Sequence, residues 1–369
     1  MSLLKNVACY VTDKIDVSLL KVSEYITTDN MLPNRGGVVD CESLPQTTKV
    51  TRYEIGDTLV SNIRPYFKKI WYADKNSGCS NDVIVFRPIS ESCNPKFLYY
   101  VLSQDAFFDY MMAGANGTKM PRGNKKTILD FVVPDFDLEK QKRIGEILSA
   151  YDDLIENNKK QIKLLEEMAQ RLYKEWFVNL RFPGYEETPI VDGVPKGWKK
   201  LPIGNLIEKT SRTKQIMASD YANKGAIPII DQSRDFIAGY TDDYSAMVNI
   251  GKSVIVFGDH TRILKYIQFP FAKGADGTQL IVSNTENMPQ SLFYCSLVGV
   301  DLSNYHYARH FKYLKAEEIL VPTKDIAEAF NDFATPIFSK IQRLRDIIKN
   351  ATEARDRLLP KLMSGEIEV

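Results

Sequence analysis

The feature that most constrains this chain is a helical stripe that occurs twice, 186 residues apart. In the first copy, mostly apolar residues follow one another at steps of three and four. This spacing is typical of one face of an α-helix that packs against another helix. The matching positions are Ile155 and Ile341, Asn158 and Leu344, Ile162 and Ile348, Leu165 and Ala351, and Leu172 and Leu358. The sequence therefore predicts two long, related helices.

Capping residues suggest where these helices begin. Ser149 and Thr335 are plausible N-caps, and Pro336 follows at a position where a helix tolerates proline. We expect long helices over about 150–178 and 336–359, each roughly 35–45 Å long. A separate short helix is expected before each of them, preceded by a buried strand that ends at a proline.

A mixed segment of roughly 140 residues precedes each long helix, within the usual size of a domain. Each segment contains a glycine-started apolar run that ends in arginine, "GDTLVSNIR" (56–64) and "GKSVIVFGDHTR" (251–262). "NDVIVFRP" (81–88) and "GTQLIVSN" (277–284) read as further strands. The proline- and glycine-rich stretch 181–198 reads as a linker. The chain thus predicts an α+β fold built from two mixed α/β domains and two long helices, an internal repeat.

Composition limits the class of protein. The 369 residues leave room for two or three domains, and the chain contains no run of 18 apolar residues. The first residues, "MSLLKNVACY", lack the features of a signal peptide, so we expect a cytoplasmic protein with no membrane segment. Five scattered cysteines without a C-x-x-C pair argue against disulfides and zinc. The net charge of +1 means that any basic surface must be local.

Motifs that resemble catalytic sites are incomplete. "NPKF" (94–97) lacks the second proline of a DNA adenine methyltransferase motif, and it is better explained as the turn before a helix, "FLYYVLSQDAFFDYM". "GKS" (251–253) lacks the first glycine of a phosphate-binding loop. His260, His306 and His310 are best interpreted as polar surface residues rather than as metal ligands. We therefore expect no catalytic residues, no metal and no cofactor bound by this chain.

Binding residues are expected in basic, aromatic segments that recur in both halves. Lysine and arginine neutralise phosphates, and arginine and asparagine also bond to base edges. The alternative for any one segment is a solvated loop without a partner. The candidate DNA-binding residues are Arg64, Tyr66, Lys68, Lys69, Lys119, Arg122, Asn124, Lys125 and Lys126 in the first half, and Arg262, Lys265, Tyr307, Arg309, His310 and Lys312 in the second.

Three stretches resemble the specificity subunit of type I restriction–modification enzymes. The first is "GTKMPRGNKKTILDFVVPDFDLEKQKRIGEILSAYDDLIENN" (117–158), which looks like the end of a target-recognition domain that runs into a helical region. The second is "FPGYEETPIVDGVPKGWKKLPIGNLIE" (182–208), which looks like the start of a second such domain. The third is the ending "RDRLLPKLMSGEIEV" (355–369). In overall layout the resemblance covers nearly all of the chain.

The resemblance implies a non-catalytic subunit that reads a split target in double-stranded DNA, with one recognition domain for each half-site. It places these domains at 1–137 and, with the linker, at 181–323. Helical spacers at 138–180 and 324–369 would pack antiparallel as a coiled coil with pseudo-twofold symmetry. The helix–helix contacts would come from Ile155, Ile162, Leu165, Leu172, Ile341, Leu344, Ile348 and Leu358.

The same resemblance implies the partners. Two methyltransferase subunits would use S-adenosylmethionine, and motor-nuclease subunits would use ATP and Mg²⁺. Two alternatives remain open: a stand-alone DNA methyltransferase or nuclease, and a structural coiled-coil scaffold without a DNA role.

Overall fold

The computed structural model describes residues 1–89, 93–210, 213–305 and 309–369. The chain divides into two compact units. Unit 1 comprises Met1–Asn157 and Ile348–Val369, and unit 2 comprises Asn158–Ile347. The helices are α1 (Pro95–Ser103), α2 (Asp105–Ala113), α3 (Lys125–Ile128), α4 (Leu138–Tyr173), α5 (Gln290–Val298), α6 (His310–Ala316) and α7 (Lys324–Ser364). Among the described residues, no helix combines the length and the apolar character that crossing a bilayer requires.

Short antiparallel sheets form the frame of unit 1. Its strands are β1 (Ser2–Leu3), β2 (Ala8–Tyr10), β3 (Lys14–Asp16), β4 (Lys49–Tyr53), β5 (Thr58–Ser61), β6 (Ile70–Tyr72), β7 (Ser77–Cys79), β8 (Val83–Pro88) and β9 (Val132–Val133). The main sheet has the order β2-β8-β5-β6. A smaller sheet has the order β3-β4-β7, and β1 pairs with β9. The apolar runs in β5 and β8 are buried, as expected for strands covered on both faces.

Helices α1 and α2 cover this sheet and bury its aromatic core. The Asn94 side chain accepts a hydrogen bond from the backbone N–H of Phe97 and caps α1. The single helix expected after "NPKF" is in fact two helices, because Gln104 adopts an extended conformation with ψ of 149°. This bend lets Phe97 and Phe107 both enter the core, where each is almost fully buried.

Unit 2 contains more strands, in several small sheets. They are β10 (Ile190–Val191), β11 (Val194–Pro195), β12 (Lys199–Pro202), β13 (Gln215–Ile216), β14 (Ile227–Ile230), β15 (Gly239–Thr241), β16 (Met247–Val248), β17 (Val254–Gly258), β18 (Leu264–Ile267), β19 (Phe271–Gly274), β20 (Thr278–Ile281) and β21 (Glu318–Val321). One sheet has the order β18-β17-β20, another centres on β19 and β14, and β12 pairs with β21.

The two units repeat the same order of elements, which confirms the predicted internal repeat. In unit 1, β5 lies between β6 and β8, and in unit 2, β17 lies between β18 and β20, with antiparallel pairing throughout. Helices then follow in each unit. An edge strand next pairs with a strand from the start of the unit, as β9 does with β1 and β21 with β12. A long helix comes last.

The predicted starts of the long helices were wrong. Helix α4 is continuous over 36 residues and α7 over 41 residues, so the predicted short helices are the first turns of these long helices rather than separate elements. Asp137 caps α4 instead of Ser149, accepting a hydrogen bond from the backbone N–H of Lys140 at 2.8 Å. Continuity is favoured because the first turns of α4 already bury Ile144 and Leu148 completely. Thr335 and Pro336 likewise lie inside α7 rather than at its start.

The long helices run antiparallel within each unit. In unit 2, Glu166 of α4 forms an ion pair with Arg345 of α7 at 3.0 Å. Ten residues further along the chain, Trp176 contacts Phe330, so the numbering rises along one partner as it falls along the other. In unit 1, Asp152 pairs with Arg355. The predicted stripe residues are buried (Ile155, Ile341, Leu344) or half-buried (Ile162, Leu165, Leu172, Ile348, Leu358).

Candidate DNA interface

In unit 1 the structure brings two of the predicted basic segments together. Residues 62–69, named turn 1, connect β5 to β6. Residues 116–124, named loop 1, lie against turn 1. The backbone N–H of Arg64 donates to the carbonyl of Pro121 at 2.8 Å, and a second backbone bond joins the two segments at 3.1 Å. These segments are about 55 residues apart in sequence but form one surface.

Turn 1 holds a strained but well-supported conformation. Arg64 and Lys68 both adopt the left-handed region, with φ of 50° and 51°. This region is uncommon for residues with a side chain and costs free energy unless surrounding contacts fix it. Here the backbone N–H groups of Asn34 and Arg35 donate to the carbonyls of Phe67 and Lys68. The backbone of turn 1 is therefore fixed from two sides.

The candidate side chains of unit 1 fall into two groups. Lys119, Arg122, Lys125 and Lys126 are exposed, as is Tyr66, whose side chain stays 47% accessible. Three others, Lys68, Lys69 and Asn124, have structural partners. Lys68 pairs with Asp105 at 2.7 Å, Lys69 donates to the Thr28 carbonyl at 2.6 Å, and Asn124 caps α3. Burial lowers the pKa of the Lys69 amine. Arg122 also forms an ion pair with Asp82 at 3.3 Å, so the exposed candidate cations without an ion pair in the described ranges are Lys119 of loop 1 and Lys125 and Lys126 of α3.

Unit 2 brings together the corresponding segments. Residues 259–263, named turn 2, connect β17 to β18, and Arg262 there repeats the left-handed conformation with φ of 61°. The backbone N–H of His310, at the start of α6, donates to the carbonyl of Asp259 at 2.9 Å. The carboxylate of Asp259 accepts a bond from the next N–H, that of Phe311, at 2.7 Å.

The basic side chain of Arg262 in turn 2 bonds to protein partners. Arg262 donates through Nε to Nε2 of His310 at 3.2 Å and through Nη2 to the carbonyl of Tyr305 at 2.7 Å. His310 is buried, with 5% of its surface exposed. Burial, and then the charge of Arg262, lower the pKa of this imidazole. The neutral ring can therefore accept the bond from Arg262.

The placement of Lys265 corrects its assignment as a DNA-binding residue. Only 4% of its surface is exposed, and its amine donates to the carbonyl of Asp235 and lies 3.8 Å from the carboxylate of Asp231. Burial lowers the pKa of Lys265, although both acids oppose that shift. Arg309 and Lys312 are exposed, and Tyr307 lies outside the described residues. His310 was expected at the surface, and its burial corrects that expectation as well. The remaining candidate residues stay predictions.

Sequence reasoning missed a segment that contacts turn 2. Residues 231–235, "DQSRD", named loop 3, follow β14, and the carbonyl of Gln232 accepts a hydrogen bond from Oγ1 of Thr261 at 2.7 Å. Loop 3 carries two acids and one base, so a search for basic clusters passes over it. A polar run directly after the apolar strand "IPII" was the available signal. Within the described ranges, no group of His, Cys, Asp or Glu is arranged to hold a metal.

Comparisons with known proteins agree on one family. Residues 24–167 match the family described as "Type I restriction modification DNA specificity domain". The MjaIX specificity subunit of Methanocaldococcus jannaschii is 28% identical over 300 residues, which cover 74% of this chain and 69% of that protein. The HindI specificity subunit of Haemophilus influenzae is 23% identical over 99% of this chain and 98% of that protein.

A solved structure shares the fold. The type I restriction–modification S subunit from M. genitalium superposes with a TM-score of 0.59 at 15% sequence identity, covering 98% of this chain and 95% of that one. The repeated units and the long antiparallel helix segments described above are consistent with that likeness. Residues 24–167 thus carry the match to the type I restriction–modification DNA specificity domain, and the chain as a whole is similar to specificity subunits of these systems.

Proposed function

We propose that this chain is the non-catalytic DNA-recognition subunit of a type I restriction–modification complex, and that each unit reads one half of a bipartite target. The observation that carries the proposal is the repeated turn. In both units an inner strand of a sheet is joined to an edge strand by a turn with a left-handed arginine, and a second segment binds that turn through backbone bonds. Two related surfaces in one chain suit a target with two half-sites.

Charge supports DNA as the ligand. Lys119, Arg122, Lys125 and Lys126 are exposed on one surface of unit 1. Cations of this kind neutralise phosphates and release counterions, which gives binding that weakens steeply with salt. Such contacts fix the position of the protein on the duplex, while contacts to base edges select the sequence.

The long helices suit two further roles in this proposal. Helix α4 has 36 residues and is therefore ~54 Å long, comparable to one or two turns of B-DNA. We propose that the helices set the number of unread base pairs between half-sites. They would also dock two methyltransferase subunits, which use S-adenosylmethionine, and motor-nuclease subunits, which use ATP and Mg²⁺.

Methylation mapping on the assembled methyltransferase complex tests this function. Replacing residues 1–135 with the first domain of another specificity subunit should change one half-site only. Removing one heptad within residues 155–176, together with one heptad of α7, should change the spacer and keep both half-sites. Altered half-sites at the original spacing would contradict the proposed role of the helices.

Two simpler assays separate the alternatives. The purified chain incubated with DNA and labelled S-adenosylmethionine should transfer no label without partner subunits. Transfer by the chain alone would identify a stand-alone methyltransferase. A scaffold without a DNA role would show no salt-dependent DNA binding, whereas the proposed subunit should.

A further inference from the structure

One side chain of unit 2 joins three loops. The carboxamide of Gln232, in loop 3, accepts a hydrogen bond from the backbone N–H of His260 at 3.1 Å. Its Nε2 donates to the carbonyl of Asp276 at 3.0 Å. Residues 275–277, named loop 4, connect β19 to β20. Both ends of the carboxamide therefore bond to backbone, one to turn 2 and one to loop 4.

Three glycines allow this close approach. A Cβ on Gly277 would lie 2.7 Å from the His260 ring and 2.8 Å from Nε2 of Gln232. A Cβ on Gly258 would lie 2.2 Å from Oγ1 of Thr261. A Cβ on Gly274, at the end of β19, would meet Asp231 at 2.6 Å. A side chain at any of these positions would force the neighbouring atoms to move, so the junction as it stands uses glycine.

Loop 3 is also held from inside the unit. Buried Lys265 bonds to the carbonyl of Asp235 at one end of the loop and lies near Asp231 at the other. The carboxylate of Asp231 accepts bonds from the backbone N–H and the hydroxyl of Ser233. The lysine that a charge pattern assigns to DNA thus fixes the loop next to turn 2.

The joined loops expose polar groups of both signs. His260, Arg234 and Asp276 are exposed, one from each loop. Their side chains make no hydrogen bond or ion pair with any residue in the described ranges. Carboxylates repel phosphates, so Asp276 and Asp235 disfavour a backbone contact here. Base edges offer donors as well as acceptors, and a carboxylate accepts from cytosine N4 while arginine donates to guanine.

We propose that His260, Arg234 and Asp276 are specificity-determining residues that contact base edges in the half-site of unit 2, and that Gln232 is the residue that positions them. This inference rests on the proposed function. Gln232 itself would not read a base, because both ends of its carboxamide already bond to the protein. The inference also separates the two tasks within unit 2. Exposed Arg309 and Lys312 would contact phosphates, and the joined loops would contact bases.

The test uses the complete chain with its methyltransferase subunits and maps methylated sites for each variant. His260→Ala, Arg234→Ala and Asp276→Ala should each reduce discrimination at one base pair of the second half-site by about 10-fold or more. The first half-site and the affinity for unrelated DNA should stay within about twofold of the unmodified chain. All three residues are exposed, so the variants should fold.

Gln232→Glu tests the positioning role, because a carboxylate cannot donate to the Asp276 carbonyl. It should relax the second half-site at several base pairs. Gln268→Glu, which adds the same charge to unit 2 outside these loops, should not. Val256→Ala, a cavity variant in β17, should lower the melting temperature without changing the target, which separates positioning from loss of stability.

The outcomes distinguish this inference from the proposed function. If the unmodified complex methylates no bipartite target, the proposed function itself is wrong. If it does, and the three alanine variants all keep the second half-site unchanged, the base-reading role of the joined loops is wrong. Equal effects of Gln232→Glu and Gln268→Glu would contradict the positioning role of Gln232 and leave the base-reading role of the other three residues standing.

Discussion

Turn 1 and turn 2 share a backbone design but use their arginines differently. Arg64 and Arg262 both adopt the left-handed region after the central strand of a sheet. Arg262 donates two hydrogen bonds to protein acceptors. In contrast, Nε of Arg64 is buried with no hydrogen-bond partner in the described part of the chain. The arginine at this position thus links two segments through its side chain in unit 2, and it makes no comparable side-chain link in unit 1.

The surfaces around the two turns show the same contrast between exposed and internally bonded basic side chains. In unit 1 the lysines and the arginine of loop 1 and α3 remain exposed, next to exposed Tyr66. In unit 2, Lys265 and His310 are buried, and groups of mixed sign are exposed instead. A repeated fold therefore fixes where a binding surface lies, while individual substitutions decide whether charge is used for binding or for support.

The largest effect is expected when the side-chain link of turn 2 is removed. Arg262→Ala leaves the His310 nitrogen and the Tyr305 carbonyl without their donor, and it keeps the left-handed strain. We expect the free energy of unfolding of unit 2 to fall by about 2–3 kcal/mol. Urea unfolding followed by tryptophan fluorescence measures this change. Arg64→Ala is the matched control, and an equal loss there would contradict the difference between the turns.

The next effect concerns the exposed cations of unit 1. Lys125→Ala combined with Lys126→Ala should reduce the slope of log affinity against log salt by about 2, because each phosphate contact contributes ~0.9. Fluorescence anisotropy with duplex DNA at several salt concentrations measures the slope. Lys159→Ala combined with Lys163→Ala removes two exposed lysines of α4 and should leave it unchanged. Equal slopes for both pairs would place the phosphate contacts elsewhere.

The sequence alone predicts the repeat and the paired helices because both depend on periodic apolar burial. Periodicity extends over many residues and tolerates single exceptions such as Asn158, which is buried in α4. The helix starts were mispredicted because capping residues also occur inside helices, as Ser149 does with its hydroxyl bonded to the Glu146 carbonyl. A possible capping residue does not reveal whether the helical turn before it is also buried.

The candidate site was predicted less completely than the fold. Basic residues on corresponding segments identified turn 1, turn 2 and loop 1. The charge of a residue, however, does not indicate whether its side chain faces solvent or the protein interior. Lys265 lies in β18, where the next two residues are also buried, and Asp231 and Asp235, distant in sequence, compensate its charge. Loop 3 was missed for the opposite reason, since its nearly neutral composition hides a contact with turn 2.

A smaller effect should appear as a dependence on pH. Burial and Arg262 hold the pKa of His310 below its ordinary value of 6.5, while Asp259 opposes them. Folding therefore favours the neutral ring. Its contribution to stability should be complete above pH 6.5 and should be lost as the pH falls from there toward the folded-state pKa, by at most about 1.4 kcal/mol per pH unit.

Thermal melting between pH 7.5 and pH 5 measures this dependence. His310→Gln keeps an acceptor for Arg262 but does not titrate, so its melting temperature should fall less over the same range. Unit 1 has no histidine near turn 1, which confines the effect to unit 2. Identical pH profiles for both proteins would mean that His310 is not coupled to folding.

The smallest effect is expected from glycine in turn 1. Arg64→Gly removes left-handed strain of about 1–2 kcal/mol, and glycine loses about 0.5–1 kcal/mol more backbone entropy on folding. The backbone bond to Pro121 does not need the side chain. Stability should therefore stay the same or rise by up to about 1.5 kcal/mol. Arg262→Gly relieves similar strain but loses two hydrogen bonds, so it should still be destabilising. Comparable unfolding midpoints for these two variants would show that Arg64 has partners as strong as those of Arg262.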